Sequence, residues 1–327
     1  MIRRRHLLGA ASLLPALTPA LAAPPTGFPA RAVRLIIAFP AGGSVDTLGR
    51  SLQQGLSEAL HGAVVVENQG GANTLIATRQ VAGSPADGHT LLVTSDSLAI
   101  NRALLPDSGY EAPGSFAPVT LAITAPQILV THPRSGIRTI GEYVERLRTG
   151  TGRMNVAVPG WAAIGHLASE TLNTRLSLPR PQHVAYRGGA PATAGLLAGD
   201  VDALWITLPA VTGLVRDRRL LGLAVSTATR SPALPDVPTL AETVLPGIDL
   251  PTWQGVLAPA GTPSRVVAAL HAGLAATLER EEVRSNLAGL GFDIVSQGPE
   301  AFSALISRSV GDFGAVIRAA DIRPENA

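Results

Sequence analysis

From Val33 onward, short runs of branched apolar residues alternate with stretches of helical periodicity, and glycine-rich turns lie between them. Val33-Arg34-Leu35-Ile36-Ile37-Ala38-Phe39 reads as a buried strand, 44–60 as a helix, 64–66 as a second strand, 74–82 as a helix and 90–93 as a third strand. Such a β-α-β-α-β series predicts a parallel sheet covered by helices on both faces. Strands are expected at 116–123 and 127–131, with Thr124-Ala125-Pro126 breaking between them. A second series follows: helix 139–149, strand 154–158, helix 163–176, strand 182–185, helix 190–198, and strands 201–206 and 220–225. Residues 231–251, rich in proline and glycine, read as an extended crossover. A returning strand at 253–258 and helices at 263–279, 281–290 and 299–319 complete the chain. Two such units predict two lobes, residues 23–123 with 246–327 and residues 124–245, joined by a double hinge near 124 and 246.

Composition removes several chemistries. The 327 residues are 46% hydrophobic, enough to fill such a core. All 26 basic residues are arginine, so Schiff-base lysines and the phosphate-loop lysine are excluded. Without cysteine, thiol nucleophiles, iron–sulfur clusters and disulfides are excluded too. Arg3, Arg4 and Arg5 open the chain, the apolar stretch 7–17 is too short to span a bilayer, and Ala20-Leu21-Ala22 is a small-x-small box. Residues 1–22 therefore read as an export signal cleaved near Ala22, and the Arg4-Arg5 pair resembles the twin-arginine type. Without those three arginines, 23 basic residues face 24 acidic ones, a net of −1. With no basic stripe and few aromatics, nucleic acid is not expected as a partner.

The turns carry the chemistry. Phe39-Pro40-Ala41-Gly42-Gly43-Ser44-Val45-Asp46 joins a strand to a helix, where unpaired backbone N–H groups and the macrodipole favour an anion. Ser44 or Asp46 could equally cap the helix. Comparable turns occur at Pro159-Gly160-Trp161-Ala162-Ala163, ahead of Gly165 and His166, and at Gly188-Gly189. Three glycine-bearing turns at carboxyl ends of strands mark the edge at which open α/β sheets bind ligands. G-x-S-x-G is absent, Asp46 standing where its last glycine would be. His166 and Glu170, one helical turn apart, read as a hydrogen-bonded face and not a metal site, and Asp200 and Asp202 as turn residues. No cofactor or metal is expected.

Eight motifs in order then resemble one family: Phe39-Pro-Ala-Gly-Gly-Ser-Val-Asp46, Val64-Val-Val-Glu-Asn68, Pro85-Ala-Asp-Gly-His-Thr-Leu-Leu92, Phe116-Ala-Pro-Val119, His183-Val-Ala-Tyr-Arg-Gly188, Leu223-Ala-Val225, Leu234-Pro-Asp-Val-Pro-Thr239 and Ala258-Pro-Ala-Gly-Thr-Pro263. They are similar to the solute-binding proteins of tripartite tricarboxylate transporters, the Bug family. The resemblance implies a two-lobed periplasmic-binding-protein-like α/β fold, each lobe a mostly parallel sheet flanked by helices. It also implies a monomer in the periplasm that closes on a small carboxylate and delivers it to membrane permease subunits. Carried over, the ligand-binding residues are Pro40, Ala41, Gly42, Gly43, Ser44, Val45 and Asp46, with Pro159, Gly160, Trp161, Ala162, Ala163 and His166, and Ser95, Asp96 and Ser97 lining the cleft. Gly188 and Gly189 join them through the third turn. The family usually has Ser-x-Gly-x-Gly-Ser-x-x-His where this chain has Val158-Pro-Gly-Trp-Ala-Ala-Ile-Gly-His166, and often Thr at the position of Val45. Fewer hydroxyls and a stacking role for Trp161 point to an aromatic or branched monocarboxylate over citrate. Two other classes stand beside this reading: a secreted α/β hydrolase using Ser44 and His166, and an extracytoplasmic sensor component.

Overall fold

A computed structural model describes residues 26–150 and 154–324; the export segment read at 1–22 lies outside them. The first β/α series forms β1 (Val33–Ile37), α1 (Ser44–Leu60), β2 (Val64–Asn68), α2 (Leu75–Ala82), β3 (Thr90–Ser95) and α3 (Ser97–Leu104). A long strand, β4 (Phe116–Thr131), leads into α4 (Ile140–Thr149), β5 (Asn155–Val158), α5 (Ile164–Arg175), β6 (Gln182–Ala185), α6 (Gly189–Ala198) and β7 (Ala203–Thr207). Next come α7 (Thr212–Arg216), β8 (Leu221–Val225) and α8 (Leu240–Thr243). The chain returns through β9 (Pro251–Pro259) and finishes with α9 (Ser264–Leu278), α10 (Glu281–Leu290), β10 (Asp293–Gln297) and α11 (Pro299–Ala319).

Strands run in the order β2-β1-β3-β9-β4-β7-β5-β6, with β10 and β8 also on β4. The β1–β2, β1–β3, β5–β6 and β5–β7 pairs are parallel, as the β/α alternation predicts. Both sheets are nevertheless mixed and not mostly parallel, because β9 runs antiparallel to β3 and β4, and β4 antiparallel to β7, β8 and β10. A strand that crosses from one sheet to the other and a second that brings the chain back must run in opposite senses.

The expected break at 124–126 does not occur; β4 is continuous for 16 residues. Its first part pairs with β9 down to Pro126 opposite Pro251, and its second part pairs with β7 from Gln127 onward. Pro126 thus falls at the seam between two ladders, where its missing N–H costs no continuing row of bonds.

Unbroken apolar runs fit strands buried on both faces. On β1, Leu35 and Ile37 join one cluster with Leu48, Leu52 and Leu56 of α1 and Leu270 and Leu274 of α9. Ile36 points the other way, into a cluster with Leu98 of α3 and Phe302 and Ile306 of α11. In the second sheet Leu129, Val156 and Trp205 pack beside Tyr143 and Leu172, while Ile128, Leu204 and Ile206 pack beside Leu196. The C-terminal end of α11 reaches the second sheet's helices: Ile317, Ala320 and Ile322 share a cluster with Ile164 and Leu167 of α5. Two side chains fasten that seam, Arg180 Nη2 donating to Ala320 O at 2.6 Å and Trp161 Nε1 donating to Arg323 O at 2.8 Å.

Gly255 lets β4, β9 and α11 meet, since a Cβ there would lie 2.7 Å from Thr120 O and 2.5 Å from the Phe302 ring. Backbone cannot yield as a flexible side chain can, so Gly255→Ala is expected to cost about 1–3 kcal/mol. Urea unfolding should show a lower midpoint with an unchanged slope.

Candidate functional site

The first turn is fixed from beneath. Gly42 has φ +83°, a region that favours glycine, and its N–H donates to Asp46 Oδ2 at 2.9 Å. Asp46 Oδ1 accepts from Asn68 Nδ2 at 2.9 Å and from Arg50 Nε at 3.0 Å. Burial pushes this carboxyl up, but the bonds from Arg50, Gly42 and Asn68 outweigh it and hold the pKa below the ordinary aspartate value. The charge of Asp46 is therefore spent on the turn.

Three helices open toward one another without a side-chain cap: α1 after Gly43, α5 after Ala163 and α6 after Gly188. In contrast α4 and α8 close their first turns with capping boxes, Thr139 with Glu142 and Thr239 with Glu242. The uncapped openings come close: a Cβ on Gly188 would sit 3.3 Å from Pro40 Cδ, and one on Gly160 3.0 Å from Asn73 Oδ1.

Between them lies a cavity of about 70 Å³. Ten expected residues line it: Pro40, Gly43, Ser44, Val45, Ser95, Ser97, Pro159, Ala163, Gly188 and Gly189. Asn73, Gln127, Thr207, Thr252 and Gln254 line it as well, together with Phe39, Ile164, Gly165, Ile206 and Ala210. Among the described residues no charged side chain faces the cavity. Gln254 Nε2 donates to Ser44 Oγ and Gln127 Nε2 to Thr207 Oγ1, both at 2.9 Å. A hydroxyl that accepts from an amide keeps its own proton to donate, so one donor from each sheet is turned to the cavity.

The polar lining that the sequence did not reveal lies on the crossing strands. Gln127, Thr252 and Gln254 are each about 1% exposed in otherwise apolar strands, and that mismatch was the available signal. Loss of hydroxyls from the second turn therefore does not leave an apolar cleft.

Eight expected residues stand off the cavity: Ala41, Gly42, Asp46, Asp96, Gly160, Trp161, Ala162 and His166. Trp161 is turned to the α11 seam, and its carbonyl accepts from Asn73 Nδ2 at 3.1 Å. Asp96 is completely buried behind the wall; burial lifts its pKa to about 6 against the opposing bonds from Thr252, Ser95, Trp253 and Ser97. His166 is buried with Nδ1 accepting the N–H of Ala162, itself at φ +55°. Its ring lies 4.4 Å from that of His183, whose Nε2 pairs with Ser169 Oγ at 2.9 Å.

His166, Glu170 and His183 place ligand-type atoms within 4.8 Å of one another, a grouping invisible while His183 lay 13 positions beyond Glu170 in sequence. Two features oppose a metal there. The Ala162 bond leaves the neutral His166 proton on Nε2, the atom facing Glu170, and Arg180 already sits 3.0 Å from Glu170. The cluster instead holds the second turn from behind, as Asp46 holds the first.

Burial pushes His166 down to about 3 and His183 down to about 4, with Arg180 adding to both and His183 to the former. Unfolded, each imidazole takes a proton near pH 6.5, so stability is complete above that pH and is lost as pH falls through the window between 6.5 and the folded values. His166→Asn, which retains an acceptor for Ala162, removes one such group. Between pH 7.5 and 5.0, wild type should lose about 2 kcal/mol more in urea unfolding than this variant; equal losses would contradict the assignment. Asp96 acts in the opposite direction but is common to both proteins.

Comparison with known proteins places this geometry. The model of the tripartite tricarboxylate transporter receptor family matches residues 48–322. Protein BugT of Bordetella pertussis is 31% identical over 305 residues, covering 92% of this chain and 93% of its own. The structure of R. palustris Rpa4515 with adipate superposes at a TM-score of 0.87, with 29% identity, over 91% of this chain and 100% of that one. MatC of Rhodopseudomonas palustris with bound malate superposes at 0.83, with 28% identity, over 89% and 100%. The chain belongs to the tripartite tricarboxylate transporter receptor family, a family of periplasmic solute-binding proteins and not of enzymes.

Proposed function

We infer that the cavity receives the carboxylate of a small organic acid, which the protein then passes to the permease subunits of a tripartite transporter. One observation carries the reading: helix openings from both sheets meet, uncapped, at a cavity that has hydroxyl donors and no cation. Aligned N–H groups at helix N-termini favour an anion without any side-chain charge. Adipate and malate in related structures are ligands of the same class.

The lobes proposed are residues 23–123 with 246–327 and residues 124–245, hinged where β4 and β9 pass between sheets. A ligand touching both sides binds the closed arrangement better, and that difference in affinity drives closure. Export through the segment 1–22, cleavage near Ala22, and action as a periplasmic monomer complete the proposal. No helix among the described residues is long and apolar enough to cross a membrane. The hydrolase alternative lacks a nucleophile–base pair, since Ser44 Oγ is held by Gln254 and the His166 ring nitrogens face Ala162 and Glu170.

A thermal-shift screen with acetate, succinate, malate, adipate and citrate tests the reading. At a concentration of 100 times Kd a ligand adds about 2.7 kcal/mol to stability, enough to raise Tm by several degrees. Ser44→Ala removes a hydrogen bond to a charged group and should weaken the best acid at least about tenfold. No shift with any carboxylate would overturn the assignment.

A further inference from the structure

The hydroxyls around the cavity are not all oriented alike. Ser44 and Thr207 accept from amides and can donate inward. On the wall formed by the ends of β3 and β9, Thr252 is the opposite case. Its Oγ1 lies 2.5 Å from Asp96 Oδ2, whereas Ser95 Oγ accepts the N–H of Ser97 at 3.3 Å and lies 3.2 Å from Ser97 Oγ. Asp96 has no ion pair among the described residues, and its Oδ1 is buried without a hydrogen-bond partner. With a pKa near 6, this carboxylate is ionised at pH 8. Because an ionised carboxylate can only accept, the proton in the short bond is that of Thr252, and the threonine oxygen has only lone pairs left for the cavity it lines.

We propose that Asp96 is a positioning residue for specificity: by taking the Thr252 proton it makes the Thr252 oxygen a hydrogen-bond acceptor in the cavity wall, so the cleft selects carboxylates bearing a hydroxyl or ammonium over the same acid without that donor. The proposal rests on the carboxylate reading above and adds the second group the ligand must carry. A methylene placed against Thr252 Oγ1 would strand its lone pairs, and sites built this way discriminate strongly against the analogue that lacks the donor.

Succinate, malate and aspartate share one skeleton and differ only in H, OH or NH₃⁺ at one carbon. Calorimetric titration of the mature chain with all three at pH 8 reads the discrimination directly. Wild type should bind malate, aspartate or both at least about tenfold more tightly than succinate. Asp96→Asn can donate its amide to Thr252 and release the threonine proton, so the preference should shrink to about threefold or less. Thr252→Val should abolish it as well, while Thr252→Ser should keep it; this second pair decides the matter if the buried Asn is not tolerated. Succinate binding as tightly as both partners overturns the inference, as does a preference unchanged in Asp96→Asn and Thr252→Val. Binding of other acids but of none of these three also overturns it while leaving the carboxylate reading in place. Failure of every acid in the screen would instead remove the reading on which it rests.

Discussion

The antiparallel pairing of β4 with β9 is the constraint on which the cleft depends. It runs from Phe116 opposite Pro259 to Pro126 opposite Pro251, and at that end β4 leaves the first sheet to pair with β7 in the second. Thr252 and Gln254 sit at that end of the ladder and Gln127 lies just beyond it, so the pairing of β4 also aims the polar side chains of the cavity. A shift of register by one residue would turn Thr252 and Gln254 away and bring Trp253 into their place. The tight approach at Gly255, between β4 and α11, pins that register.

An anion site without a cation needs its dipoles held rigidly, and each turn is braced from behind. Asp46 ties the first to Arg50 and Asn68; His166, kept neutral by burial, ties the second through Ala162. Both braces keep formal charge off the cavity surface. What faces the cavity is main chain, amide and hydroxyl, groups whose strength rises as water is excluded and whose directions are set by the fold. Arginine, the only strong base in this composition, is used elsewhere, on ion pairs and on the α11 seam.

Much of the architecture was legible in the sequence. The periodicity of 44–60 and 299–319, and the apolar run at 33–39, gave elements at nearly the observed bounds, because burial on two faces leaves unbroken apolar strands. The glycine turns were equally readable, since Gly42 and Gly188 hold positive φ, a need that few other residues meet. Elements that depend on tertiary partners were missed. The strand at 293–297 forms only against β4, and the helix at 97–104 follows directly on a strand end, its N-cap residue Asp96 making no side-chain cap bond. Proline 126 misled for the same reason: local rules treat it as a breaker, whereas its position between two ladders makes it harmless. Trp161 and His166 stand off the cavity that Pro159 and Ala163 of their turn line, and their side chains support that turn from behind.

Where α11 meets the second sheet, the acceptors are the main-chain oxygens of Ala320 and Arg323. A joint made of peptide carbonyls is indifferent to side-chain identity, so among the closing residues it is burial that holds Ala320 and Ile322 to apolar types. The number of closing residues is not free, because a shortened tail would take both oxygens away from Arg180 and Trp161 and undo the fastening at a distance from the cavity itself.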